Sequence, residues 1–209
     1  MNIEEWKNLI AHRDDMSGSL VHLTKPRNID GIEFSVFDVL IKIIEEEVIK
    51  GSTTKSGFIC GDRSAVCFQE VPLYSLAQNI YYEQKLREID NSRKIRYLGV
   101  GLKIDKRIVY KNGGRPVIYD NTDTAKLYLP KNEWWRIVKL DLNDEKYMVD
   151  WTHEREWRLP GDFHFNKSDI SIIVPNNKAL DLIVDKFKTK GIDIIKEVKG
   201  IINISDSLF

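Results

Sequence analysis

Short apolar runs with strand character fill the middle of this chain, and stretches with helical spacing lie toward its two ends. That segregation points to an α+β domain, with short, mostly antiparallel strands and flanking helices. The 209 residues suffice for one large domain with a full core. The expected division is a helical lead-in over residues 1–19 and a core over 20–198. No internal repeat or low-complexity linker interrupts it.

Residues 2–11 predict a short amphipathic helix with Trp6, Leu9 and Ile10 on one side, and Leu20 to Thr24 a strand ended by Lys25-Pro26. From Phe34 to Ile49, the residues Phe34, Phe37, Leu40, Ile41, Ile44 and Val48 follow the spacing of a buried helical stripe. Gly51 is expected to close that helix, before a polar loop over Ser52–Gly57. Ala65–Phe68 predicts a strand leading to Pro72, which suits the first turn of a helix running to about Leu86 because its missing N–H costs nothing there. Tyr97–Ile104 is the next expected strand. Arg107–Tyr110 and Pro116–Tyr119 flank Asn112-Gly113-Gly114, which predicts a hairpin, since such turns need positive φ. Residues 122–128 predict a helix, Ile170–Pro175 a buried strand, Lys178–Lys188 a helix and Ile192–Ile195 a last strand.

Hydrophobic residues make up 42% and charged residues 31%, with a net charge of zero. No global field therefore draws nucleic acid, and any such contact must use a local patch. Lys103, Lys106, Arg107, Lys111 and Arg115 around the predicted hairpin, with Trp134, Trp135 and Arg136, combine basic and aromatic groups as single-stranded nucleic acid requires. The same residues also read as solvated lysines and core tryptophans. Cys60 and Cys67 are not spaced as a zinc knuckle and read as reduced thiols. The N-terminus carries Glu4 and Glu5 where a signal peptide needs a basic start, and no stretch approaches the roughly 18 apolar residues of a membrane span. The expected location is the cytoplasm, without a membrane partner.

Residues 151–162 read Trp151-Thr152-His153-Glu154-Arg155-Glu156-Trp157-Arg158-Leu159-Pro160-Gly161-Asp162, and six of these twelve side chains can carry charge. On a strand, Thr152, Glu154, Glu156 and Arg158 share one face, and His153, Arg155, Trp157 and Leu159 the other. Two carboxylates on one face repel unless a cation or ligand lies between them, which suits a site that stabilises developing positive charge. The pattern equally describes a polar strand face laced with salt bridges. Upstream, His22 and Thr24 share a strand face, an imidazole and a hydroxyl able to hold two oxygens of one sugar. The stretch Gly61–Tyr74 runs a strand into a Pro-started helix, bringing backbone donors to one spot, with Phe68 and Tyr74 as aromatic faces. Arg115, directly after Gly113-Gly114, is a cation available for phosphate. Gly99-Val100-Gly101 lacks the third glycine of a dinucleotide fingerprint, and no zincin motif, phosphate loop, nucleophile elbow or metal set is present.

In their order these motifs resemble the ADP-ribosyltransferase fold, above all the DarT-like toxins: Val21-His22-Leu23-Thr24 first, then Cys67-Phe68-Gln69-Glu70-Val71-Pro72-Leu73, then Glu154-Arg155-Glu156-Trp157-Arg158 ahead of Ile170–Pro175. The phrases His22-Leu23-Thr24-Lys25, Gly114-Arg115-Pro116-Val117-Ile118-Tyr119 and His153-Glu154-Arg155-Glu156-Trp157-Arg158 are also similar to bacterial AbiGi-type abortive-infection proteins. The resemblance implies a twisted, split β-sandwich with NAD in the cleft between two sheets. It implies that His22 and Thr24 hold ribose hydroxyls, and that Phe68 or Tyr74 stacks on nicotinamide. Glu156 would stabilise the oxocarbenium ion, and Glu154 would face the acceptor. Arg63 is the nearest match by order to the arginine that grips NAD, and Arg115 is its rival. His22 and Glu156 are then expected to face one cleft within about 10 Å, since one ribose must bridge them. The implied activity is that of an NAD-dependent ADP-ribosyltransferase or NAD glycohydrolase in phage defence or a toxin–antitoxin system, with nucleic acid or protein as acceptor. The AbiGi-like phrases imply instead a non-enzymatic antitoxin-like module on the same fold, with a cognate toxin or antitoxin protein as partner.

Overall fold

A computed structural model describes residues 1–56, 58–93 and 96–207. Among these, seven strands form one open sheet: β1 (Ser19–Leu23), β2 (Ala65–Gln69), β3 (Gly101–Asp105), β4 (Arg115–Pro116), β5 (Glu156–Pro160), β6 (Ile170–Val174) and β7 (Gly200–Asn203). Their order is β7-β6-β3-β1-β2-β5-β4, antiparallel throughout except for β6 with β7. The helices are α1 (Ile3–Ala11), α2 (Val36–Glu46), α3 (Leu73–Ile89), α4 (Lys106–Lys111), α5 (Thr122–Tyr128), α6 (Asn177–Lys188) and α7 (Ile194–Glu197). This is a single domain of mixed helix and strand.

The pairing is shortest between β1 and β2. β1 and β3 keep register from Ser19↔Asp105 to Leu23↔Gly101, and β2 and β5 from Gln69↔Glu156 to Ala65↔Pro160. Between β1 and β2 only Val21↔Gln69 pairs.

Side-chain alternation then gives the sheet two different faces. Leu20, Val66, Phe68, Leu102, Ile104, Leu159, Ile170 and Ile172 meet Leu40 and Ile44 of α2 and Ile183 and Phe187 of α6 in the main core. On the other face Val21 and Ile173 meet Leu76, Ala77 and Ile80 of α3, together with Tyr97. Burying a leucine or isoleucine contributes about 1.5–3 kcal/mol, so these two layers hold the sheet from both sides.

Several elements follow the sequence pattern, and several do not. The helical stripe forms α2, opened by a capping box between Ser35 and Asp38. It stops earlier than Gly51: Glu47 takes a left-handed conformation at φ 51, and Val48–Ile49 leave the helix to pair with Phe163–His164. Val48 belongs to that buried strand, although its spacing from Ile44 continues the helical stripe. Thr54–Ser56 form a 3-10 turn in the expected loop, and Gly57 lies outside the described residues. The strand expected from Tyr97 begins only at Gly101.

The expected hairpin is absent from this part of the chain. Arg107–Tyr110 belong to α4, which Asp105 starts by accepting the Arg107 N–H, and Gly113 at φ 97 follows the end of that helix. Gly114 lies against Val109 so closely that a side chain would strike it. The two glycines thus serve a helix-to-strand turn, and Arg115–Pro116 pair with β5 instead of returning to residues 107–110. Likewise Ile194 lies in α7, and the last strand is β7, beyond the expected core limit at residue 198.

Candidate functional site

The segment after Trp151 is not one strand. Thr152–Glu154 form a single 3-10 turn, Arg155 follows in a left-handed conformation at φ 45, and β5 begins at Glu156. Glu154 and Glu156 therefore do not line one strand face, because the alternation expected across them is broken at Arg155. Glu154 accepts a hydrogen bond from the Tyr97 hydroxyl at the edge of α3's layer.

Glu156 is 7% exposed and Arg158 3%. Arg158 Nε donates to Glu156 Oε1 at 2.7 Å and Nη2 reaches Oε2 at 3.5 Å, while Nη1 donates to the carbonyls of Trp135 and Ile137 at 2.9 and 3.0 Å. Burial opposes the Arg158 charge most strongly, but the Glu156 carboxylate and the Cys67 sulfur beside it together raise its pKa. Tyr119, whose hydroxyl accepts the Glu156 N–H at 2.7 Å, is pushed up to about 12, chiefly by burial. Burial, and then the Glu156 charge, also push the Cys67 thiol up, so it stays protonated and unreactive.

His22 lies on the other side of the sheet. Val21, Gln69 and Glu156 form one row across three strands, so Glu156 shares its face with Val21, and His22 points the opposite way. The imidazole packs edge-on against Phe68, with ring centroids 5.9 Å apart. Its Nδ1 donates to the Cys67 carbonyl at 2.8 Å, since a carbonyl can only accept. Burial, aided by Lys25 and Arg27 against the Cys67 bond, lowers its pKa from 6.5 to about 4, so it is neutral at neutral pH. The single cleft expected to join His22 and Glu156 is thus replaced by two separate environments.

The remaining candidates are dispersed. Thr24 is 3% exposed and donates to the Val100 carbonyl at 3.0 Å, tying the end of β1 to the chain before β3. Phe68 is buried between His22 and Phe163, so the ring faces core and not a ligand. Tyr74 is exposed on α3. Arg63 lies over the Trp135 ring at 5.8 Å, and Arg115 over Tyr110 at 4.0 Å while donating to the carbonyls of Tyr110 and Gly114. Of the basic and aromatic residues expected to attract nucleic acid, Arg107 pairs with Asp105, Lys106 with Glu70 and Arg136 with Glu133, the Trp134 indole N–H donates to the Leu129 carbonyl, and Trp135 is core.

A cleft of about 690 Å³ lies elsewhere, between α3 and residues 148–153, bordered by Arg93, Arg96, Tyr97 and Trp151. Arg96 sits 4.6 Å over the Trp151 ring, and the His153 ring is 6.0 Å from it, tilted by 42°. Sequence reasoning missed this cleft because Arg96 and Trp151 are distant in the chain and belong to no common motif. Among the described residues, no helix is long and apolar enough to cross a membrane. No protein-family model, curated protein or solved structure matches the chain.

Proposed function

We propose that this chain is a non-enzymatic regulatory binding module, of the antitoxin-like kind. The observation that carries the reading is the buried Glu156–Arg158 pair on the face opposite His22. Cleaving a glycosidic bond to nicotinamide needs a fixed carboxylate free to offset the charge of the oxocarbenium ion. The Glu156 charge is already matched by Arg158, and separating the two would leave a buried charge unpaired at a cost of about 3–5 kcal/mol. Phe68, buried in the core, and Thr24, buried and bonded to the Val100 carbonyl, serve the fold in the same way. Incubating the protein with labelled NAD and cell extract tests the reading. It predicts no nicotinamide release and no label transfer, with Glu156→Gln behaving identically. Release by the wild type that Glu156→Gln abolishes would overturn it.

A second reading keeps the enzyme: an NAD-consuming ADP-ribosyltransferase of phage defence or a toxin–antitoxin pair, in the cytoplasm, with nucleic acid or protein as acceptor. Two observations favour it. The strands of His22, Phe68 and Glu156 are neighbours in the order β1-β2-β5, and β1 and β2 share only the register pair Val21↔Gln69, the place where an ADP-ribosyltransferase-like sandwich would part. In this reading Glu154, bonded by the neutral Tyr97 hydroxyl, is the carboxylate left for chemistry. Glu154→Gln would then abolish NAD cleavage, whereas the binding-module reading predicts no cleavage to abolish.

A further inference from the structure

We propose that the cleft between α3 and residues 148–153 binds a nucleoside phosphate. Its lining holds the three kinds of group such a ligand needs. Arg93 and Arg96 are exposed, and among the described residues neither is held in an ion pair. Arginine forks suit phosphate, which they bond with two parallel N–H donors. Trp151, beneath Arg96 and beside His153, offers a partly built stack on which a base adds a layer. Asp150 is fixed by Thr152, whose N–H and hydroxyl both bond its Oδ1 at 2.9 and 2.7 Å. Its Oδ2 takes no part in those bonds and can accept from a sugar hydroxyl, as can Glu83 on the α3 side. The volume of about 690 Å³ falls within the roughly 300–1,000 Å³ of small-molecule sites. The two carboxylates disfavour an acidic peptide.

This inference deepens the binding-module reading by naming a ligand class. The test is calorimetric titration of the full chain with ADP, with adenosine, inorganic pyrophosphate, a mixed eight-nucleotide strand and NAD as separate arms. Saturable ADP binding is expected, with adenosine and pyrophosphate each at least about tenfold weaker, because adenosine lacks the phosphates and pyrophosphate lacks the base and the sugar. Arg96→Gln and Trp151→Leu should each weaken ADP by about tenfold or more, through loss of a charge-assisted bond or of the stack. Arg96 is exposed, so Arg96→Gln carries the test even where Trp151→Leu unfolds. No ADP saturation, pyrophosphate or adenosine binding as tightly as ADP, tighter binding of the oligonucleotide, or unchanged affinity in folded Arg96→Gln would each overturn the proposal. The failure of the two readings is distinguishable. Cleavage of NAD with ADP bound at the cleft removes the non-catalytic reading and leaves the site. Absence of both binding and cleavage removes the site alone.

Discussion

The interior of β5 and the cleft beside α3 hold the same kinds of side chain in opposite conditions. In the first, Glu156 and Arg158 are buried, mutually bonded and backed by two carbonyls, so every charge has a partner. In the second, Arg96 is exposed, stacked on Trp151 and not held in an ion pair among the described residues. A buried pair is costly to disturb and has nothing left to give a ligand, whereas exposed cations over an indole cost the fold little and remain available. Charge density in the sequence therefore marks the scaffold here, and the candidate site lies where charge is incompletely matched.

The contrast breaks most visibly at the pair. Arg158→Met is expected to lower the unfolding free energy by about 3–5 kcal/mol, because it leaves Glu156 buried and unpaired and frees two carbonyls. Urea denaturation measures it, and a loss under 1 kcal/mol would place this pair with ordinary surface contacts.

The next effect is at His22. Its folded pKa of about 4 lies below its ordinary 6.5, so the unfolded chain takes up the proton first. Its contribution to stability is complete above about pH 6.5 and is lost as pH falls toward about 4, by an amount on the order of 3 kcal/mol. His22→Asn should flatten that part of the stability profile, measured by thermal melts between pH 4 and 7. A slope unchanged from wild type would assign the acid sensitivity to other groups.

A smaller effect sharpens the other side of the comparison. Arg96→Gln should change stability by no more than about 1 kcal/mol, the scale of an exposed cation–π contact. A larger loss in the same urea titration would make Arg96 part of the scaffold. The least effect is expected from Lys131→Ala, which removes a solvent-screened, exposed pair with Asp62 and should leave the melting temperature within about a degree or two.

How far the sequence could be read depends on which signals are local. The α2 stripe and a helix start at Pro72 are readable because burial spacing and a missing N–H act within a few residues, although Pro72 stands at the N-cap, one residue ahead of the expected first turn. The Asn112-Gly113-Gly114 turn is ambiguous, since positive φ serves a helix end as well as a hairpin. Alternation across the Trp151 segment fails at Arg155, a residue type that gives no warning of a left-handed backbone. The Glu156–Arg158 contact was within reach, because two residues apart on a strand share a face. The salt-bridged alternative describes that pair better than two opposed carboxylates do. Arg96 over Trp151 was out of reach, because only the tertiary fold brings them together.

The most direct test joins both regions in one protein. Glu156→Leu combined with Arg158→Met replaces the pair with apolar groups, which in buried pairs is often near neutral compared with removing one partner. The double variant is predicted to recover most of the stability lost by Arg158→Met, and to bind ADP with wild-type affinity in calorimetric titration. A folded double variant that has lost ADP binding, or that has lost an NAD cleavage activity present in the wild type, would contradict the assignment of this pair to the scaffold.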